Sequence, residues 1–323
     1  MKIVPIKDGI AVRLEDIDIT TVDQDTANQI RQILKEKVIV VIKKQDTAPA
    51  YFTKFVNKLG SVSNYVHFAF DPITGENKYT PKPDDGLIDP DSWSDPKTYP
   101  VQRVTGQKYK GQATGIFGEG ILDWHSNLNG LDRADGVALQ GYQGVENTST
   151  TWLNTTVAYN EMPEELKSRC ENVYSEYEYS PEIWSGDQET IKCITTFTGD
   201  RRVQKGKTFY KMWLIQKNVI GNTGIYFYTN NRCKIISEDT KLYDDLKDYM
   251  FQEKYMYQHF YEEGDIVLSD QLLSLHKRDQ NDPEILAKRI LHRITFKVSN
   301  TKKPYWIVEQ NKDLIEQTTD TEQ

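Results

Sequence analysis

The feature that most constrains this chain is a succession of strand-like segments after residue 100. They are 101-VQRVT-105, 137-VALQGYQ-143, 150-TTWLNTTVAY-159, 209-FYKMWLIQ-216, 224-GIYFYTN-230, 264-GDIVLSD-270 and 289-RILHRITFKV-298. All are rich in β-branched or aromatic residues, which suit a pleated, half-buried surface. Only two helical patterns interrupt them. One is 162-MPEELKSRCENVY-174, opened by Pro163; the other lies around 239–251, with Leu242, Leu246, Tyr249 and Met250 at helical spacing. Alternation of strand and helix is confined to the N-terminus. There 26-TANQIRQILKEK-37 reads as a helix, 38-VIVVI-42 as a buried strand and 51-YFTKFVNKLG-60 as a second helix, with Gly60 placed as a C-terminal cap. A parallel doubly wound sheet is therefore excluded. The expected class is mainly β with flanking helices (α+β), as a closed or double-sheet architecture with helices packed outside.

The length of 323 residues and a 37% hydrophobic content suit one large core that needs no staples. We read residues 1–310 as a single domain and 311–323 as a polar tail. Within the domain, 70–100 is dense in Pro, Asp and Gly and reads as an inserted loop, either a lid or a surface excursion. The net charge of −8, with no Lys/Arg block, argues against nucleic acid and acidic membranes as partners. Cys170, Cys193 and Cys233 form no metal-binding spacing and read as isolated thiols of a reducing compartment. The N-terminus lacks the apolar core of a signal peptide, and no apolar run reaches membrane-spanning length. A soluble, cytoplasmic protein is expected, with a small molecule as partner; oligomeric state is not readable.

Five histidines restrict where metal chemistry can sit: His67, His125, His259, His276 and His292. In an extended 121-ILDWHSN-127, Asp123, His125 and Asn127 share one face. Two ligands on one strand end and a distant histidine on another give the facial arrangement of a two-histidine, one-carboxylate iron site. His276, just beyond 264-GDIVLSD-270, is the candidate for the distant ligand. In 289-RILHR-293, Arg289, Leu291 and Arg293 fall on one face and His292 on the other. Inward arginines are costly without anions to meet. Arginine suits a bidentate grip on a carboxylate, which a 2-oxoglutarate site requires. His67 and His259 match no pattern and read as structural, and His292 as a packing residue.

In order, these segments resemble the taurine dioxygenase-like (TauD/TfdA) family of Fe(II)/2-oxoglutarate-dependent oxygenases. The resemblance is carried by 33-ILKEKVIVVIKKQ-45 with 52-FTKFVNKLG-60, by 124-WHSN-127, by 150-TTWLNTTVAY-159, by 264-GDIVLSDQLLSLH-276 and by 289-RILHR-293. It implies a double-stranded β-helix (jelly roll) of the clavaminate synthase-like type. It also implies iron ligated by His125 and His276, and the distal carboxylate of 2-oxoglutarate held by Arg289 with Thr150. Arg293 would lie near the substrate or the keto-acid end. The implied reaction uses Fe(II), 2-oxoglutarate and O2, releases succinate and CO2, and by default hydroxylates a small polar substrate. Arg293 suggests an anionic group on that substrate. The aspartates of the insertion, among them 71, 84, 85, 89 and 91, read first as a solvated loop, and second as a surface for a cationic substrate.

The pattern departs at Asn127, where the family has Asp or Glu. Four consequences are open. Asn127 ligates through its amide oxygen; Asp123 supplies the carboxylate instead; the position admits an anion such as chloride, as in halogenating relatives; or metal is held poorly and the chain is a catalytically impaired small-molecule binder. The first reading is favoured, with the last as its rival.

Overall fold

The computed structural model describes residues 1–62, 101–109, 112–113, 117–118, 120–127, 135–179, 208–227, 229, 233–279 and 282–298, with a short strand pair at 69–70 and 77–78. Most of the 70–100 insertion, the 311–323 tail, His67 and Cys193 lie outside them.

Fourteen strands and six helices carry the argument. The strands are β1 (Lys2–Ile6), β2 (Ala11–Glu15), β3 (Ile39–Ile42), β4 (Gln102–Val104), β5 (Leu122–His125), β6 (Gly136–Gln143) and β7 (Ser149–Asn154). They continue as β8 (Tyr174–Tyr179), β9 (Thr208–Trp213), β10 (Cys233–Ile236), β11 (Met256–Phe260), β12 (Ile266–Asp270), β13 (Ser274–Arg278) and β14 (Ile290–Phe296). The helices are α1 (Gln24–Lys37), α2 (Pro49–Leu59), α3 (Thr155–Glu161), α4 (Glu164–Cys170), α5 (Leu242–Met250) and α6 (Pro283–Lys288).

Two sheets form the body. The large one has the order β1-β2-β3-β12-β6-β14-β4 and the small one β11-β7-β13-β5. Only β2 and β3 pair in parallel; the other pairings in both sheets are antiparallel. A third sheet, β9-β8-β10, stands beside them. This is a mainly β jelly roll with helices outside, as expected from the strand-rich sequence.

Period-2 alternation explains how one sheet serves two cores. In β3, Ile39 and Val41 join the cluster that holds Trp152, Leu153 and Leu275 of the small sheet. Val40 and Ile42 join the opposite cluster, with Ile30 and Leu34 of α1 and Phe52, Phe55 and Val56 of α2. All four β3 side chains are buried, which is why 38-VIVVI-42 is apolar without interruption. α1 starts at Asp23, whose carboxylate accepts the Thr26 amide at 2.8 Å.

Three local expectations are corrected. The segment 150–159 is not one strand: Asn154 accepts the amides of Thr156 and Val157, each at 3.2 Å, and so starts α3. The helix expected over 162–174 spans only Glu164–Cys170, because β8 begins at Tyr174. Gly60 ends α2 in extended backbone (φ 174°), not as a left-handed cap. Glycine is required there because an added Cβ would lie 1.8 Å from the Lys297 carbonyl oxygen. Cys170 and Cys233 are free thiols, and among the described residues no helix is long and apolar enough to cross a membrane.

Candidate active site

The site opens between the two sheets, in a cavity of about 410 Å3 counting its open mouth. The small sheet brings its histidines together. His276 of β13 is the register partner of His125 at the end of β5, and the ring centroids are 4.3 Å apart. The strand neighbour on the other side of His276 is the buried Trp152 of β7.

One irregularity decides which residues of β5 face the cavity. The register shifts between His276 and Arg278, leaving one extra residue on β5 between Leu122 and His125. Such a bulge breaks alternation and re-aims side chains. Leu122 and His125, three apart, therefore both line the cavity, and Asp123 is exposed. The expectation that Asp123 shares the face of His125 and Asn127 is corrected on this ground. Asp123 acts through its backbone, accepting from His125 Nδ1 at 2.6 Å. That contact fixes the proton on Nδ1 and leaves Nε2 as a donor atom for a ligand. Burial pushes the His125 pKa down to about 4, against a smaller upward pull from this bond; Arg293 and Arg278 lower it further. His276 is also held neutral, first by burial, then by His125 and Arg293.

Asn127 is buried, and its Nδ2 lies 3.0 Å from His276 Nε2. Amide oxygen and nitrogen exchange places by a ring-like flip of the group, so either can face that point. A spacing of about 3 Å is also that of two neighbouring ligand atoms, each about 2.1 Å from one six-coordinate ion. The Asn127 backbone is held by Gln271, whose Oε1 accepts from the Asn127 backbone N–H at 2.7 Å; Ser126 Oγ donates to the Gln271 backbone carbonyl at 2.7 Å. Gln271 in turn donates to Ser269 Oγ at 2.6 Å. Two imidazoles and one amide thus fit a divalent ion as neutral donors. Among the described residues, no group of three or more His, Cys, Asp or Glu side chains could hold one.

The opposite wall is β14 and its approach. Arg289 ends α6 and enters β14, and Arg289, Leu291 and Arg293 all line the cavity. Arg289 is 1% exposed, and its Nε and Nη2 meet no partner. Burial, then neighbouring Arg278, lowers its pKa to about 9. Arg293 donates to Gln102 Oε1 on β4. Thr150 of β7, in the small sheet, is buried and lines the same cavity. His292 points the other way and stacks on Tyr142, with centroids 4.0 Å apart. His259 lies 3.2 Å from Asp265, away from the cavity lining.

Two lining or supporting residues escaped the sequence reading. Arg278 is buried and donates to the carbonyls of Phe117 at 2.5 Å and Gly120 at 2.6 Å. It lies two residues beyond His276, so the strand period was a sufficient signal for it. Gln271 had no such signal, since its contacts depend on how two distant turns meet.

Comparison with known proteins decides the family. A family model described as "Taurine catabolism dioxygenase TauD, TfdA family" matches residues 2–295. The chain belongs to this family. Its members are 2-oxoglutarate (alpha-ketoglutarate)-dependent dioxygenases. Among solved structures, one described as AAD-2 in complex with Mn(II) and N-oxalylglycine is similar at TM-score 0.62 and 15% identity, over 91% of this chain and 96% of that one. A taurine dioxygenase from Burkholderia xenovorans is similar at TM-score 0.62 and 16% identity, over 91% of this chain and 88% of that one. Likeness at this identity establishes the fold. No curated protein matches the sequence.

Proposed function

We propose that this chain is an Fe(II)/2-oxoglutarate-dependent dioxygenase that hydroxylates a small polar substrate, releasing succinate and CO2. The observation that carries the reading is Arg289, a buried guanidinium with two unpartnered nitrogens in the same cavity as His125 and His276. Leaving such donors unmet in a dry wall is costly, and a carboxylate entering the cavity removes that cost. Family membership, and the Mn(II) and 2-oxo-acid analogue held by one structural relative, support the same pair of ligands.

His125 Nε2, His276 Nε2 and the Asn127 amide oxygen would hold the iron. Bound iron supplies the one-electron chemistry with O2 that couples decarboxylation of 2-oxoglutarate to substrate oxidation. Arg289 and Thr150 would grip the distal carboxylate and set the distance of the 2-oxo end from the histidines. Arg293, further along the same face of β14, would orient the keto-acid end or an anionic group of the substrate. Val104, Leu139 and Leu291 form apolar wall that keeps water from the reacting atoms.

One observation favours a second reading: the neutral Asn127 in the place of the carboxylate ligand. It allows a chain that binds 2-oxoglutarate without turning it over. Substrate-independent succinate formation with Fe(II), ascorbate and O2 separates the two. Slow succinate formation that is lost in Arg289→Ala and in His125→Ala supports the dioxygenase. Specific 2-oxoglutarate binding with no succinate supports the binder.

A further inference from the structure

In a two-histidine, one-carboxylate site, the carboxylate offsets one of the two charges of the ion. Here the third donor is the Asn127 amide, which carries no charge. Asp123 faces solvent, and none of the described residues lining the cavity is Asp or Glu. The cavity also contains a buried cation, Arg289, with two nitrogens unmet. A divalent ion arriving alone therefore meets neutral donors in a cavity that already holds positive charge. A dicarboxylate arriving alone can satisfy Arg289, but its 2-oxo-acid end then meets two neutral imidazoles, an amide and the Arg293 guanidinium, which already donates to Gln102.

A 2-oxo dicarboxylate together with a divalent ion resolves both deficits. One carboxylate meets Arg289, and the other brings to the ion the negative charge that position 127 lacks. We infer that metal and 2-oxo dicarboxylate bind this chain as one cooperative unit, each weakly without the other, because the cosubstrate replaces the missing anionic ligand. The inference rests on the proposed assignment of His125, Asn127 and His276 as ligands and Arg289 as the carboxylate grip. It makes the site's loading depend on the concentration of the 2-oxo acid and on that of the metal at once.

Linkage makes the effect reciprocal: the factor by which 2-oxoglutarate tightens the metal must equal the factor by which the metal tightens 2-oxoglutarate. The test uses the full chain and Mn(II), which gives a binding signal without turnover. Free Mn(II) is followed by its paramagnetic resonance during titration, with and without saturating 2-oxoglutarate, in the wild-type chain and in Asn127→Asp. The expected result is a wild-type Kd for Mn(II) about a hundredfold tighter with 2-oxoglutarate, at the upper end of usual couplings. In Asn127→Asp, Mn(II) alone binds more tightly, and the gain from 2-oxoglutarate falls to about tenfold or less.

Equal Mn(II) affinity with and without 2-oxoglutarate in the wild type overturns the inference and leaves the ligand assignment standing. No Mn(II) binding in either arm overturns both together. An undiminished gain in Asn127→Asp overturns the role given to position 127. If that variant does not fold, the reciprocal titration of 2-oxoglutarate with and without Mn(II) still decides. A factor of one there overturns the inference, and about a hundredfold supports it.

Discussion

Two buried polar centres in this molecule are built in opposite ways. Around Asp265 every element supplies a partner: Lys43 Nζ lies at 2.5 Å, the Glu262 amide at 3.0 Å, the Lys44 amide at 3.2 Å and His259 Nε2 at 3.2 Å. His259 Nδ1 faces the Tyr257 hydroxyl at 2.8 Å. Around the cavity, Arg289 Nε and Nη2 and His276 Nδ1 are buried with no partner. Both centres carry histidine and charge. At the first the carboxylate finds its partners within the fold; at the second two guanidinium nitrogens find none. Buried polar groups without partners cost stability; Thr53 Oγ1, Thr148 Oγ1 and Gln140 Oε1 also lack one, but a charged guanidinium left so in a cavity beside two histidines is the pattern the proposed carboxylate site requires.

The sharpest break in that contrast would be a variant that moves both properties together. Asp265→Ala leaves Lys43 and His259 facing an empty acceptor, and should destabilise by about 3 kcal/mol, the lower end for a broken buried pair because Lys43 is partly exposed. Urea denaturation measures this, and 2-oxoglutarate affinity of the folded fraction should not change. Arg289→Met should do the reverse. Its 2-oxoglutarate affinity should fall about a hundredfold, while the apo fold stays as stable or gains about 1 kcal/mol. A calorimetric titration together with a melting curve reads both quantities.

The next effect concerns pH and the two ends of β12. Burial raises the Asp265 pKa, but His259, Lys43 and the two amides outweigh it, so the net shift is downward. A depressed carboxylate contributes stability that is present above its unfolded value, about 3.9, and lost as pH falls through the folded value. Asp270 is the opposite. Burial, then the charge of Asp135, pushes it up to about 7, against weaker pulls from Asn218 and the amides of Leu272 and Leu273. Its favourable contribution is full below about pH 4 and is lost as pH rises through 7. Asp270→Asn should therefore remove a falling limb of stability between these values and raise stability at pH 8 by on the order of 2 kcal/mol. Denaturation midpoints across pH 4–8 test the sign. The smallest expected effect is Thr150→Val. Loss of one neutral hydrogen bond to the cosubstrate should weaken 2-oxoglutarate about fivefold, with stability unchanged.

The legible parts of the fold follow short-range rules. The two faces of 289-RILHR-293 were readable because strand side chains alternate: Arg289, Leu291 and Arg293 line the cavity, while His292 stacks on Tyr142. The two-sided burial of β3 was readable from its unbroken apolar run. Failures came where a single residue interrupts a period. Asn154 turns a strand into a helix by capping it, and the extra residue in β5 sends Asp123 to solvent. Gly60 signalled a cap by residue type alone, yet the real demand is the nearby Lys297 carbonyl, which belongs to a segment more than 200 residues away.

By itself the sequence determined the kinds of groups available: two-faced strands, two histidines 151 residues apart (276 − 125), paired arginines, and Asn127 in place of a carboxylate. Those follow from residue identity and from periods of two and 3.6, which are local. Only the tertiary structure decided that His125 and His276 are register partners, that a bulge removes Asp123, and that Gln271 holds Asn127 beside His276. Only the tertiary structure also decided that Arg289 is left unsatisfied while Asp265 is not. Register and the pairing of buried polar groups are settled between segments far apart in the chain, and no short-range period encodes them.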